Sequence, residues 1–348
     1  MTRYRDAGVD LRVSDALKEE LVREASTTWT AAVRDLGAGF AGVLEWPAGA
    51  PEPGSARHVP PLLAATLDGV GTKLHLARRA GRVADAAADL VYHGANDLLA
   101  HGARPVAFLD YVAQSRLEPD VIREVVRGIA RACRETGAVL LGGETAEMPD
   151  TYLAGAVDVA GCMIGRVDPG ALRDGRTVEP GDALLGLASA GLHTNGFSLA
   201  RRILAESGVA LASRLPGGSG ETVADALLAP HRWYGPALEP ELEARRVRAL
   251  AHVTGGGIAA NLARVLPEGS RAAIDPGFPR PAVFRWLCGA GRVPEDDARR
   301  AFNLGIGMVV VAARGEADRL AADLAARGET VWRLGEIRAG PRGVDWSR

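Results

Sequence analysis

Lysine is almost missing from this chain. Of its 41 basic residues only Lys18 and Lys73 are lysines, and every other one is arginine. Cysteine is as sparse. Cys133, Cys162 and Cys288 lie far apart, without a C-x-x-C pair or an even framework, which excludes a disulfide scaffold and makes a reducing, cytoplasmic setting the simplest reading. No uncharged apolar run approaches the ~18 residues of a membrane span. The opening Met1-Thr2-Arg3-Tyr4-Arg5-Asp6 has no apolar core, so no secretory signal and no membrane partner are expected. A charge surplus is also absent, with 41 basic residues against 43 acidic ones, which argues against a nucleic-acid partner. No period of 20–50 residues repeats, which excludes a solenoid. The Walker phosphate loop G-x-x-x-x-G-K-[ST] is missing as well.

What the chain does have is length and apolar content. At 348 residues and 47% hydrophobic it is long enough for two cores, and two domains are expected, residues 1–168 and 169–348. The boundary falls on a Pro/Gly-rich linker, Asp168 to Gly181. Short apolar runs alternate with 3.6-spaced stretches in both halves, an α/β or α+β pattern. A helix is expected from about Asp15 to Ala25, then a mobile Gly/Pro-rich stretch, Gly37 to Arg57. Strands are expected at 61–66, 106–112, 138–141 and 157–167, and helices at 85–102 and from Pro119 to a C-cap at Gly137. The second half predicts strands at 182–188, 250–254, 271–275, 306–313 and 330–337. Its helices are expected at 197–206, 258–265, 281–289 and 316–326.

Five segments carry chemistry. In Asp68-Gly69-Val70-Gly71-Thr72-Lys73, glycines let backbone N–H groups approach a phosphate, the rare lysine offers a point charge, and Asp68 offers a hard oxygen to Mg²⁺. An ordinary strand-to-helix turn with a surface lysine is the competing reading. Asn96-Asp97 lies on an expected helix, where Asp97 is either a second Mg²⁺ ligand or part of a polar surface. Gly142-Gly143-Glu144-Thr145-Ala146-Glu147 reads as a turn after a buried strand, with Glu144 a weaker third metal candidate or a solvated acid. Gly191-Leu192-His193-Thr194-Asn195-Gly196 lies between strand and helix, where N–H groups and hydroxyls suit an anion. His193 there either donates to a ligand or merely caps the turn. Gly255-Gly256-Gly257 follows a strand and allows close approach of a ligand or of packed backbone.

Together these strings resemble one family, aminoimidazole ribonucleotide synthetase, also called phosphoribosylformylglycinamidine cyclo-ligase. The resemblance runs from Tyr4-Arg5-Asp6-Ala7-Gly8-Val9-Asp10 through Asp68–Lys73, Asn96-Asp97-Leu98 and Phe108-Leu109-Asp110-Tyr111. It continues through Gly142–Pro149, whose GGETAEMP string is highly specific, then Gly191–Gly196, Thr254–Gly257 and Phe302–Met308. It implies an ATP-dependent enzyme of purine biosynthesis that closes formylglycinamidine ribonucleotide to aminoimidazole ribonucleotide, releasing ADP and phosphate. It implies a homodimer joined through the N-terminal α/β domain, with a C-terminal α/β domain behind it. On that basis Asp68, Gly69, Val70, Gly71, Thr72, Lys73 and Asn96 are expected to hold ATP, and Asp68, Asp97 and Glu144 to hold Mg²⁺. His193, Thr194, Asn195, Gly196 and Gly255–Gly257 are expected to face the ribonucleotide. The chain departs from the family pattern at Val22, Leu67, Asp150 and His231, where lysine, threonine, glycine and threonine are usual. Other ATP-dependent enzymes of the superfamily and a non-catalytic nucleotide-binding relative are the alternatives. The missing N-terminal cysteine disfavours selenophosphate synthetase.

Overall fold

The apolar runs of the sequence become strands and its 3.6-spaced stretches become helices, and their buried side chains form one continuous cluster across both sheets. A computed structural model describes residues 3, 24, 26–35, 39–45 and 60–347. The Tyr4–Asp10 string, Lys18, Val22, nearly all of the helix expected from Asp15 and most of 37–57 lie outside the described residues.

The N-terminal half contains β1 (Val33–Arg34), β2 (Gly42–Glu45), β3 (Leu62–Gly69), α1 (Lys73–Arg79), α2 (Val83–Ala100), β4 (Arg104–Gln114), α3 (Pro119–Thr136), β5 (Val139–Glu147) and β6 (Val157–Val167). Its strands form one sheet in the order β1-β2-β3-β6-β4-β5, antiparallel except for the parallel β4–β5 pair. The C-terminal half opens with β7 (Ala183–Ala188), α4 (Phe197–Ser207), α5 (Val223–Leu227), α6 (Gly235–Glu243) and β8 (Ala249–His252). It continues with α7 (Gly257–Arg264), β9 (Ser270–Ile274), α8 (Ala282–Ala290), α9 (Glu295–Ala301), β10 (Ile306–Ala312), α10 (Ala317–Ala326), β11 (Val331–Ala339) and β12 (Gly343–Trp346). Its sheet runs β12-β9-β11-β7-β10-β8. No strand crosses between the two sheets among the described residues.

Helix α2 is the pivot of the molecule. Nearly every side chain along it is buried, polar ones included. An all-round buried helix must be covered on every side. Here β3 and β6 cover one side, α3 another, and β8 and α6 of the C-terminal half a third. Two glycines make the fit close. A Cβ at Gly94 would stand 2.8 Å from Met163 Cβ on β6, and one at Gly128 on α3 would land on the Ala84 carbonyl oxygen. Helix α3 has the expected signals, a proline in its first turn and Gly137 at φ 76° as its left-handed cap. The three cysteines are free thiols.

One expectation changes, and a helix is added. Glu144 and Glu147 do not sit in a turn. Parallel pairing with β4 continues through Leu109↔Gly142 to Gln114↔Glu147, so the segment is strand throughout. Helix α6 forms where no element is expected, over a segment with three potential breakers, Gly235, Pro236 and Pro240. In the structure a proline occupies the first turn, where its missing N–H costs nothing, and the helix continues past Pro240.

Candidate active site between the two halves

Strand β3 delivers Asp68 at its end, and the chain turns at Gly71, φ 67°, into α1. Only glycine adopts that φ readily, which frees the exposed backbone of Gly69 and Gly71 at the mouth of the cleft. Helix α2 places Asp89, His93 and Asp97 four residues apart on one face, with Asn96 beside them. The C-terminal half meets that face with the β7–α4 loop carrying His193, the 229–234 segment and His252 at the end of β8.

Asp68 and Asp97 converge as expected. The Thr66 hydroxyl lies 3.4 Å from Asp68 Oδ2 and 3.5 Å from Asp97 Oδ2. His93 Nε2 lies 3.6 Å from each of those same oxygens. Burial pushes the Asp97 carboxyl up to about 7; His93 pulls against that shift and Asp68 adds to it. Arg264, lowered by its own burial, is near enough to act on both carboxylates.

A histidine cluster lies behind them. His252 Nδ1 is 2.7 Å from Asp97 Oδ1, and its Nε2 is 3.0 Å from His231 Nε2. His231 stacks on His193 with ring centroids 3.9 Å apart. Burial holds His252 down to about 3 and pushes His193 and His231 well below the usual histidine range, reinforced by the neighbouring imidazoles. All three are neutral at pH 7. His193 Nδ1 and His231 Nδ1 have no hydrogen-bond partner.

Four of the residues expected at the site are engaged elsewhere in this geometry. Lys73 is not a surface lysine. Its side chain is fully buried in an ion pair with Asp89, and Nζ also donates to the His193 carbonyl at 2.8 Å and the Ala229 carbonyl at 3.4 Å. Asn96 does not reach the cleft. Its Nδ2 donates to the Arg232 carbonyl at 2.8 Å and its Oδ1 accepts from the Tyr234 N–H at 3.2 Å. The His193 ring turns inward, where Nε2 accepts from the Ala190 N–H at 3.2 Å, so it braces its own loop. Glu144 is exposed on edge strand β5, three strand spacings or roughly 14 Å from β3, and does not join Asp68 and Asp97.

The remaining loop residues do come together. Thr72 Oγ1 is 3.3 Å from Ser198 Oγ, which brings the Gly69–Thr72 turn against the start of α4. Thr194 Oγ1 is 2.6 Å from His93 Nδ1, and Asn195 donates to Thr194 Oγ1 at 3.2 Å. Gly255 abuts Asn195, where a Cβ would stand 3.2 Å from Oδ1. Gly257 has the other explanation: its φ is 71° and a Cβ there would strike the Arg299 carbonyl, so backbone packing demands it. Asp89, His93 and His252 were not singled out as site residues. The D-x3-H-x3-D spacing at 89, 93 and 97 was the available signal, since residues four apart share a helix face.

The chain matches the family model described as "AIR synthase related protein, N-terminal domain" over residues 58–167, and the corresponding C-terminal domain model over residues 179–346. A phosphoribosylformylglycinamidine cyclo-ligase of Sorangium cellulosum is 46% identical over 96% of this chain and 94% of that protein. One from Myxococcus xanthus is 42% identical over 97% and 96%. Among solved structures, thiamine-monophosphate kinase from Stenotrophomonas maltophilia superposes with a TM-score of 0.61 at 21% identity, covering 93% of this chain and 94% of that one. A hydrogenase maturation protein HypE, solved in complex with ATP, gives 0.59 at 20% identity over 85% and 84%. At that identity the two structures speak for the fold alone. The sequence matches extend over both halves of the cleft, and the chain belongs to the AIR synthase related family, among its phosphoribosylformylglycinamidine cyclo-ligases.

Proposed function

We propose that the cleft between the two halves closes the imidazole ring of aminoimidazole ribonucleotide from formylglycinamidine ribonucleotide at the expense of ATP. ATP phosphorylates the formyl amide oxygen of the substrate, an amidine nitrogen of the same molecule attacks the activated carbon, and phosphate leaves. The observation that carries the reading is the pairing of Asp68 and Asp97 under one hydroxyl, at the rim of a glycine turn that meets a second glycine-bearing loop.

Phosphoryl transfer is mostly positioning and charge neutralisation. Two carboxylates this close, one of them a third exposed, suit a hard dication with oxygen ligands. Mg²⁺ bound there would neutralise the nucleotide's phosphate oxygens. The Gly69–Thr72 backbone N–H groups would receive those phosphates, with Lys73 acting from behind as the clamp that fixes the turn to the His193 loop. Thr194, Asn195 and Gly255 line the side of the cleft left for the ribonucleotide. Ring closure is intramolecular, so the task there is to hold the amidine nitrogen near the activated carbon.

A homodimer is part of the reading. Leu67 on β3 is 71% exposed and Leu141 on edge strand β5 is 66% exposed, with Val139 and Leu153 also bare. Large apolar side chains concentrated on one sheet favour a partner surface.

The direct test is incubation of purified protein with formylglycinamidine ribonucleotide, ATP and Mg²⁺. Equal amounts of ADP and aminoimidazole ribonucleotide are expected. ADP formation that ignores the ribonucleotide would instead favour another ATP-dependent reaction.

A further inference from the structure

The carboxylate pair has a neighbour that hard-metal chemistry does not call for. His93 stands one helical turn before Asp97 on α2. Its Nδ1 is engaged by Thr194 Oγ1 at 2.6 Å. With Nδ1–H donated there, the Nε2 lone pair faces Asp68 Oδ2 and Asp97 Oδ2 at 3.6 Å each. Three acceptor atoms from two elements therefore point at one space. The Thr66 hydroxyl lies 3.4 and 3.5 Å from the two carboxylates, and the Arg264 guanidinium is near enough to act on both.

The spacing from the imidazole suits a tetrahedral ion. Ligands bound at about 2.0–2.1 Å stand roughly 3.3–3.4 Å apart, close to the 3.6 Å that separates His93 Nε2 from each carboxylate oxygen. Three protein ligands and one open position is the arrangement of a zinc site that binds a further group. The outer partners are present too. His252 Nδ1 holds the other oxygen of Asp97 at 2.7 Å, and His231 Nε2 backs His252 at 3.0 Å. His93, Asp97 and His252 bring ligand atoms within 4.8 Å of one another. Partners of this kind orient ligands and strengthen them. Asp68, 33% exposed, leaves a way in from solvent.

We propose that His93 Nε2, Asp68 Oδ2 and Asp97 Oδ2 form a site for a borderline transition-metal dication of the Zn²⁺ class, bound more tightly than Mg²⁺ in the nucleotide-free protein. Imidazole among the ligands is what selects this class, because Mg²⁺ prefers oxygen alone. The ion shares the carboxylates invoked for catalysis, so a transition metal and nucleotide-borne Mg²⁺ exclude each other at this position. The inference goes beyond the ligase reading, and binding measured without any substrate separates the two.

The test uses the full chain, stripped with chelator. Zn²⁺ is titrated against a chromophoric competitor, Mg²⁺ is titrated by calorimetry, and Co²⁺ serves as the spectroscopic probe. One Zn²⁺ per chain and intense visible Co²⁺ absorption of a low-symmetry four- or five-coordinate ion are expected. His93→Met, which keeps the bulk and removes the imidazole, should weaken Zn²⁺ by about tenfold or more while leaving Mg²⁺ affinity nearly unchanged. Asp68→Asn at the rim should weaken both ions, and it carries the test if the buried substitution fails to fold. Equal Zn²⁺ affinity in folded wild type and His93→Met would overturn the proposal. So would the pale spectrum of octahedral Co²⁺, or an absence of Zn²⁺ binding.

Discussion

Lys73 shows how a single residue can be noticed for one reason and used for another. Its rarity and its glycine-rich setting suggested a phosphate contact, yet its ammonium group lies buried against Asp89 and two carbonyls from the other half of the chain. Burial pushes the Asp89 carboxyl up, and Lys73 together with the His231 N–H, which donates to Asp89 at 2.7 Å, pulls it back. Removing one partner of such a pair leaves an uncompensated buried charge, typically about 3–5 kcal/mol of destabilisation. Lys73→Ala should therefore lower the urea midpoint sharply, and Asp89→Asn added to it should restore part of the loss. A Lys73→Ala protein of wild-type stability but without activity would return the lysine to the phosphates. The histidines give a second prediction at this scale. His231 has a folded pKa below its unfolded value, so its contribution to stability is present above about pH 6.5 and is lost as pH falls. Replacing it with threonine removes that loss. Relative to wild type, His231→Thr should gain up to about 1.4 kcal/mol per pH unit below pH 6.5 in denaturant titrations of metal-free protein. Parallel pH dependence of the two proteins would contradict a buried neutral His231.

At the scale of elements, the sequence was most readable where a pattern had to face one core. The strands at 157–167 and 183–188 and the helix opening at Pro119 lie within a residue or so of their expected bounds, because alternation, caps and breakers all agreed there. Legibility failed where tertiary contact overrides local signal. Gly142 to Glu147 carries turn residues but becomes strand because β4 offers a parallel partner. Asp97 and Asp68 are legible as candidate metal ligands from their motifs, and the structure brings them together. For His93 and Asp89 the four-residue spacing shows only that they share a helix face with Asp97; what they meet there depends on β8 and the 229–234 segment closing over them. The closeness of that packing is testable. Gly128→Ala pushes a methyl into the Ala84 carbonyl and should cost about 1–3 kcal/mol in chemical denaturation, with the helix content unchanged. A neutral substitution would show that α2 and α3 can part more easily than their contact suggests.

The whole molecule works as two α/β units held on one buried helix, with Asp97 on that helix's face, Asp68 at the end of β3 beside it, and loops from the C-terminal unit closing over them. Solvent-exposed Leu67, Val139 and Leu141 leave one part of the N-terminal sheet uncovered. Light scattering should return twice the chain mass of 36.4 kDa at micromolar concentration, and Leu141→Glu should shift it toward the monomer. A wild-type monomer would exclude this surface as a dimer contact.

The most direct measurement follows ADP and aminoimidazole ribonucleotide in the same reaction, in wild type and in Asp68→Asn, with the fold of the variant checked by its denaturation midpoint. Asp68 is part-exposed at the end of a strand, so its loss removes little core. The account predicts one ADP per ring closed in wild type, ADP release that requires the ribonucleotide, and a fall of both products together by about 100-fold or more in the folded variant. Undiminished turnover in Asp68→Asn, or ADP release uncoupled from ring closure in the wild type, would contradict it.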